Sequence, residues 1–362
     1  MIDQETSDDT AALLHDSAHR LFASLDERDV VAVEQGHWPN ETWGKVADAG
    51  FPLAFVGEAA GGFGIAAAQA MTVLRVAAFH AAPVPLAETM LANRLLTEAG
   101  FPAATGPATI ASTVPGRVVL ERRGSGFRLR GHAAGVSWGR HADIIVLLAA
   151  AGERLSVVRL RRSVVEIEPH ASLANLPADR VAVNSDIPDD DVRPAPAQWT
   201  QDTLRAAGAA VRTAEMAGAL ARVLELTVTY ANERVQFGKP IGRQQAIQQQ
   251  LAVLAGQVAA CGGAADIAAR AFARLDEVAI AAAKVRAGEA ASIAAPIAHQ
   301  VHGAIGFTEE HRLRLFTRRL WAWRDEFGSE RSWSRVLGRQ AMAAGAERLW
   351  PFIVSVGAGQ GA

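Results

Sequence analysis

The hydrophobic period of this chain changes twice, from helical spacing to alternation and back, and that change limits the folds open to it. From Thr10 to about Gly100 apolar residues recur as on helices, with breaks at Gly36, Gly50, the Gly61 and Gly62 pair, Pro83 and Pro85. Met90, Leu91, Leu95 and Leu96 share one face of the last helix in this stretch, and Gly100 with Pro102 stops it. The runs Val118 to Arg122, Phe127 to Arg130, Ile144 to Leu148, Leu155 to Leu160 and Val164 to Glu168 are short, apolar or alternating, and predict β-strands. The Asp- and Pro-rich tract Asp186 to Pro196 predicts an exposed connection. After Thr200 helical spacing returns: Met216, Leu220, Val223 and Leu224 mark one long helix, and Ile247, Leu251, Leu254, Ala255 and Val258 mark a second. A third runs from about Asp276 to His302, with Pro296 predicting a kink or a fresh start, and Gly303 with Gly306 closes it. The chain is therefore α+β: a helical domain over 1–105, a middle β domain over 106–198 and a helical bundle over 199–362. The many Ala residues on the last helices permit close packing, and with it a four-helix bundle that also buries a subunit interface.

With 362 residues the chain is long enough for two or three units sharing a sizeable core. Its 36 Lys and Arg against 38 Asp and Glu leave no electrostatic case for nucleic-acid or membrane binding by the surface as a whole. A single cysteine, Cys261, excludes an internal disulfide or a cysteine-rich zinc site. The polar stretch Ile2 to Thr10 lacks the basic head and apolar run of an export signal, and the Ala-rich Ala279 to Ala291 is interrupted by Lys284, Arg286 and Glu289. The expectation is a cytoplasmic protein without a membrane span.

The most informative segment is Tyr230-Ala-Asn-Glu-Arg-Val-Gln-Phe-Gly-Lys-Pro-Ile241, followed by Gln245-Ala-Ile-Gln248. Gly238 and Pro240 break one amphipathic helix from the next, Arg234 offers a cationic fork for a phosphate, and Phe237 a flat face for an aromatic ring. An adenine dinucleotide satisfies both side chains; an interhelical turn with a solvated Arg and a core Phe satisfies the same spacing. The segment resembles the signature of the acyl-CoA dehydrogenase family, Arg-x-x-Phe-Gly-Lys-Pro-Ile leading into Gln-x-Ile-Gln. That resemblance implies an FAD-binding fold with a β-barrel-like middle domain and a C-terminal four-helix bundle. It further implies that Arg234, Gln236 and Phe237 contact the pyrophosphate and adenine of FAD in a neighbouring subunit, hence a homo- or hetero-oligomer.

Downstream, Gln300-Val-His-Gly-Ala-Ile-Gly-Phe307 resembles the family's Gln-x-x-Gly-Gly-x-Gly-Phe, which assigns Gln300, Gly303 and Ala304 to FAD. Taken alone, the same residues read as a glycine-capped helix end. In the middle domain, Phe127 to Gly131 and Ser137-Trp138 track the family's strand and Trp-Ile-Thr loop, which places Ser137 at the flavin, while the family's Trp falls on Gly135; Trp138 itself reads as a packed strand residue or as a flavin neighbour.

The family's Glu-Gly-Thr turn, whose carboxylate removes the α-proton of acyl-CoA, aligns with Phe327-Gly328-Ser329, so the base position holds Phe327 and Ser329 faces the cofactor. A second position, used for the base by some relatives, falls on Gly208. The β-hydride reaches the flavin only as the α-proton leaves, so a base is required. The candidates are Glu326, beside the usual position, and Glu215, two turns and roughly 10 Å beyond Gly208 on nearly the same helix face. Both also read as structural charges, Glu326 solvated and Glu215 paired with an Arg of the bundle. The Arg- and Trp-rich stretch His311 to Arg339 suits CoA phosphates, a partner subunit or a half-solvated bundle helix.

Three functions follow from the resemblance. The first is an acyl-CoA dehydrogenase passing electrons to an electron-transfer flavoprotein. The second is a non-catalytic, FAD-contacting subunit of a hetero-oligomeric dehydrogenase, which the residues at 208 and 327 favour, and the third is a flavin oxygenase or oxidase. A di-iron carboxylate bundle would need Glu-x-x-His pairs that the C-terminal helices lack.

Overall fold

A computed structural model describes residues 2–113, 116–152 and 154–356. The chain divides into two compact units, Met1–Ala70 with Pro83–Ala207, and Met71–Ala82 with Gly208–Ala362.

The first unit opens with helices α1 (Ile2–Ala23), α2 (Glu27–Glu34) and α3 (Asn40–Asp48), the start of α4 (Ala67–Phe79), and α5 (Leu86–Glu98). Eight strands follow: β1 (Ala108–Ile110), β2 (Val118–Arg123), β3 (Gly126–Ser137), β4 (Ile144–Ala151), β5 (Arg154–Arg161), β6 (Val165–Glu168), β7 (Ala178–Pro188) and β8 (Val192–Pro194). They form one sheet in the order β6-β7-β3-β2-β4-β5-β8, with β1 beside β4. Alternate residues along the strands, among them Leu120, Leu129, Ile145, Leu147, Val158, Leu160, Val165, Val181 and Val192, enclose an apolar core. Strand β4 is buried on both faces, which explains why Ile144 to Leu148 is continuously apolar rather than alternating. Helix α5 is tied to β1 through the Thr89 hydroxyl, which donates to the Ala108 carbonyl at 3.0 Å.

The tract Asp186 to Pro196 differs from the expected exposed connection. Strand β7 continues to Pro188, a short 3-10 turn holds Asp189–Asp191, and β8 adds an edge to the sheet. Asp191 is buried because Arg159 pairs with it at 2.6 Å, a partner that the local sequence does not reveal.

The second unit is dominated by long helices: α6 (Gln201–Glu233, from Gly208 onward), α7 (Gln245–Phe272), α8 (Glu277–His302), α9 (Leu313–Asp325) and α10 (Glu330–Ala344), then the short α11 (Leu349–Ser355). Helix α8 is central, packed against α7, α9 and α10. It runs unbroken through Pro296, against the expected restart. Pro296 is exposed, and so is Ser292, whose carbonyl is the one left without its usual N–H partner. Asp276 caps α8 by accepting from the amides of Val278 and Ala279, each at 3.1 Å. Among the described residues α7 is the one helix long and apolar enough to cross a bilayer, though it is Ala-rich and lies along α8.

Candidate functional site

Between α6 and α7 the chain makes a two-residue hairpin. Val235–Gln236 (β9) pairs antiparallel with Lys239–Pro240 (β10), and Phe237 (φ 54°) and Gly238 (φ 75°) form the turn. Two successive left-handed residues are what a tight hairpin of this twist requires, and Gly supplies the second without strain. Phe237 adopts that conformation at some cost, and its ring is 91 % exposed. Arg234 and Gln236 are exposed beside it. An apolar cluster of Ala231, Ile241 and Val301, edged by Tyr230, Ile247, Leu251 and Ile297, anchors the base of the hairpin.

Val301 belongs to the second motif, so the cluster joins the two. The Tyr230 ring stacks on His302 with centroids 4.5 Å apart, and His311 meets His302 edge-on at 4.7 Å. His302 donates from Nδ1 to the Ala298 carbonyl at 2.8 Å, and burial pushes its pKa down to about 4, so the ring is neutral near pH 7. Helix α8 then ends at Gly303, with φ 67° and ψ −148° and open space where a Cβ would point. Gly306 is the opposite case, since a Cβ there would stand 2.9 Å from that of His302. Gln300, Gly303 and Ala304 are exposed, and Phe307, itself 68 % exposed, stacks on His299 at 4.2 Å. The structure thus brings the bases of the Arg234–Phe237 and Gln300–Gly306 motifs together and leaves their tips in solvent. A flat ring, a guanidinium and unobstructed main chain at one end of a bundle are the groups a nucleotide needs.

The third segment is the turn from α9 into α10. Phe327 (φ 55°) and Gly328 (φ 108°) reverse the chain, and the Trp333 indole N–H donates to the Phe327 carbonyl at 3.1 Å. The Phe327 ring lies against the backbone of Gly208: a Cβ at 208 would be 2.2 Å from its Cδ1. The two positions where a base was sought therefore occupy one another's space. Ser329 is half-buried at the N-cap of α10, and its side chain makes no capping bond.

Glu326 and Glu215 meet at one guanidinium. Arg212, four residues beyond Gly208 on α6 and 3 % exposed at its side chain, reaches Glu326 Oε2 from Nε at 2.8 Å and Glu215 Oε2 from Nη1 at 2.5 Å. Its Cζ lies 5.8 Å from the Phe327 ring and 5.9 Å from that of Trp323. A buried cation between two largely buried carboxylates is a mutually required set, since each charge is costly without the others. The sequence reading missed Arg212; its place one turn after Gly208 was the available signal. Lys284, also missed, is 1 % exposed and donates to the carbonyls of Trp323 at 2.6 Å and Arg324 at 2.8 Å.

Ser137 lies in the first unit, at the end of β3, where its carbonyl accepts from the Thr109 hydroxyl at 2.6 Å. Trp138 follows with φ 59° and is 3 % exposed, edge-on to Trp38, and it lies past the strand's last residue. Among the described residues no three His, Cys, Asp or Glu side chains lie together as metal ligands.

Residues 201–340, which carry α6 to α10, match the family model described as acyl-CoA dehydrogenase, C-terminal domain. The acyl-CoA dehydrogenase IpdE2 of Mycobacterium tuberculosis is 32 % identical over 264 residues, 72 % of this chain and 74 % of the relative. The acyl-CoA dehydrogenase FadE27 of the same organism is 27 % identical over 353 residues, 86 % of this chain and 90 % of that one. A crystal structure of the ChsE4-ChsE5 complex from Mycobacterium tuberculosis superposes with a TM-score of 0.81 at 24 % identity, covering 94 % of this chain and 98 % of the matched one. The helical N-terminal part, the sheet, the bundle, the Arg234–Phe237 hairpin and these matches lead to one assignment: the chain belongs to the acyl-CoA dehydrogenase family.

Proposed function

We propose that this chain is the FAD-contacting subunit of a hetero-oligomeric acyl-CoA dehydrogenase, and that a partner chain of the same family supplies the carboxylate that removes the α-proton. The observation that carries the proposal is the Phe327 ring seated on Gly208, which fills one base position with a hydrocarbon and denies the other even a Cβ. Glu326 and Glu215 are the candidate carboxylates, and either would have to leave Arg212 and a buried ion pair to take a proton. That requirement weighs against the reading in which this chain carries out the dehydrogenation alone.

FAD is the cofactor, and when bound it supplies the acceptor for the β-hydride. In this chain Phe237 offers its ring to the adenine, Arg234 its guanidinium to the pyrophosphate and Gln236 a polar contact beside them. Gln300, Gly303 and Ala304 bring polar groups and open backbone to the same nucleotide, and the exposure of all six suits a cofactor held largely by another subunit. Ser137 and Ser329 are assigned to the flavin side. Phe327 excludes water and leaves proton removal to the partner. The ChsE4-ChsE5 complex, whose two names denote two chains, gives a precedent for such pairing in this fold. Electrons then leave to an electron-transfer flavoprotein.

The test is co-expression of this chain with a family member that has Glu at the base position, followed by flavin analysis and anaerobic addition of acyl-CoAs. The proposal expects flavin that bleaches only in the complex. Full bleaching of the chain purified alone would restore the single-subunit dehydrogenase, and bleaching by NAD(P)H instead would favour an oxygenase.

A further inference from the structure

Lysine is almost never fully buried without a specific partner, yet Lys284, the eighth residue of α8, lies among Ala281, Ala283, Ala287 and Ala291, all buried. Its ammonium is aimed at the last turn of α9, where helix carbonyls have no intrahelical N–H to accept from. The bonds to the Trp323 and Arg324 carbonyls close that end with N–H donors, which the side chain supplies whether or not it carries its extra proton. One turn along the same face of α8, Gly288 makes room for Glu330 of α10; a Cβ there would be 2.6 Å from the Glu330 Cδ. This one stripe of α8 therefore holds both flanks of the Glu326–Ser329 turn.

We propose that Lys284 is a positioning residue, whose capping of α9 fixes the turn that sets Phe327 against Gly208 and Ser329 at the head of α10. The assignment rests on the reading above, in which this turn faces the flavin and the acyl group. The charged groups around the ammonium are Arg212 on α6, Asp325 and Glu326 after α9, and Glu330 on α10. Burial outweighs the attraction of the three carboxylates and brings the amine down to about 7. An opened turn returns Lys284 to water, where it binds a proton up to its ordinary value of 10.5. The open form thus takes up protons between these values, and the closed turn gains on it as pH rises from about 7.

Hydrogen exchange over residues 322–333, corrected for intrinsic rates, tests this without flavin, acyl-CoA or partner, so its outcome is separate from that of the functional reading. Protection in the native chain is expected to climb between pH 7 and pH 9.5, and in Lys284→Met to be low and independent of pH. The Gly208→Ala substitution should also cost less stability in the Lys284→Met background, because Phe327 is no longer pinned, a coupling that general destabilisation would not produce. Equal, flat protection in both proteins, or additive effects of the two substitutions, would overturn the proposal. Should Lys284→Met fail to fold, the native pH series decides: a rise supports the assignment and a flat profile removes it.

Discussion

Phe327 rests on the bare backbone of Gly208, close enough that a Cβ there would overlap the ring at 2.2 Å from Cδ1. Glycine in a helix interior is ordinarily improved by alanine, by roughly 1 kcal/mol. Here the sign reverses. Gly208→Ala should cost about 1–3 kcal/mol because the ring cannot shift without moving a turn held by Trp333 and Lys284. Chemical denaturation measures the loss, and Gly208→Ala in a Phe327→Ala background should recover most of it.

Arg212 holds Glu215 and Glu326 from the interior side. Arg212→Met leaves two largely buried carboxylates without that cation and should cost roughly 3 kcal/mol in the same denaturation assay. Adding Glu215→Gln and Glu326→Gln should return part of that loss, because neutral amides cost less to bury than unpaired carboxylates.

Phe237 and Arg234 make the opposite prediction. Both are exposed, so Phe237→Ala and Arg234→Ala should leave stability within about 0.5 kcal/mol of the parent. Flavin affinity of the assembled protein should nevertheless fall by about ten- to a hundredfold for Phe237→Ala, the range of a lost base–aromatic stack. Equilibrium dialysis of FAD reads the effect directly.

The order of the elements was legible because period alone separates helix from strand, and the hairpin motif was legible because Gly238 and Pro240 punctuate it. What local sequence could not show were partners far along the chain. Asp191 looks like one more loop aspartate until Arg159 is brought against it, and β8 was lost with it. Glu326 and Glu215 were each read as a free base or a structural charge, and only folding shows that one guanidinium between them holds both. Ala-rich surroundings identify Lys284 as unusual, but its acceptors are carbonyls about forty residues away, which no side-chain pattern encodes.

Lys284 also predicts a pH dependence. Its folded pKa of about 7 lies below the ordinary 10.5, so the unfolded chain binds more protons between those values and native stability rises with pH across that window. Below about pH 7 both states are protonated and the penalty is constant. Denaturation midpoints for the parent minus Lys284→Met should therefore be flat at low pH and grow above neutrality, which cancels other groups that titrate in the same range.

The most direct measurement uses the assembled complex, with the partner's base replaced by glutamine and acyl-CoA added anaerobically. If Phe327 and Gly208 leave this chain without a base, no flavin is reduced on the timescale of the unmodified complex. Rapid reduction of any fraction of the flavin would mean that a carboxylate of this chain removes the proton, and would contradict the account.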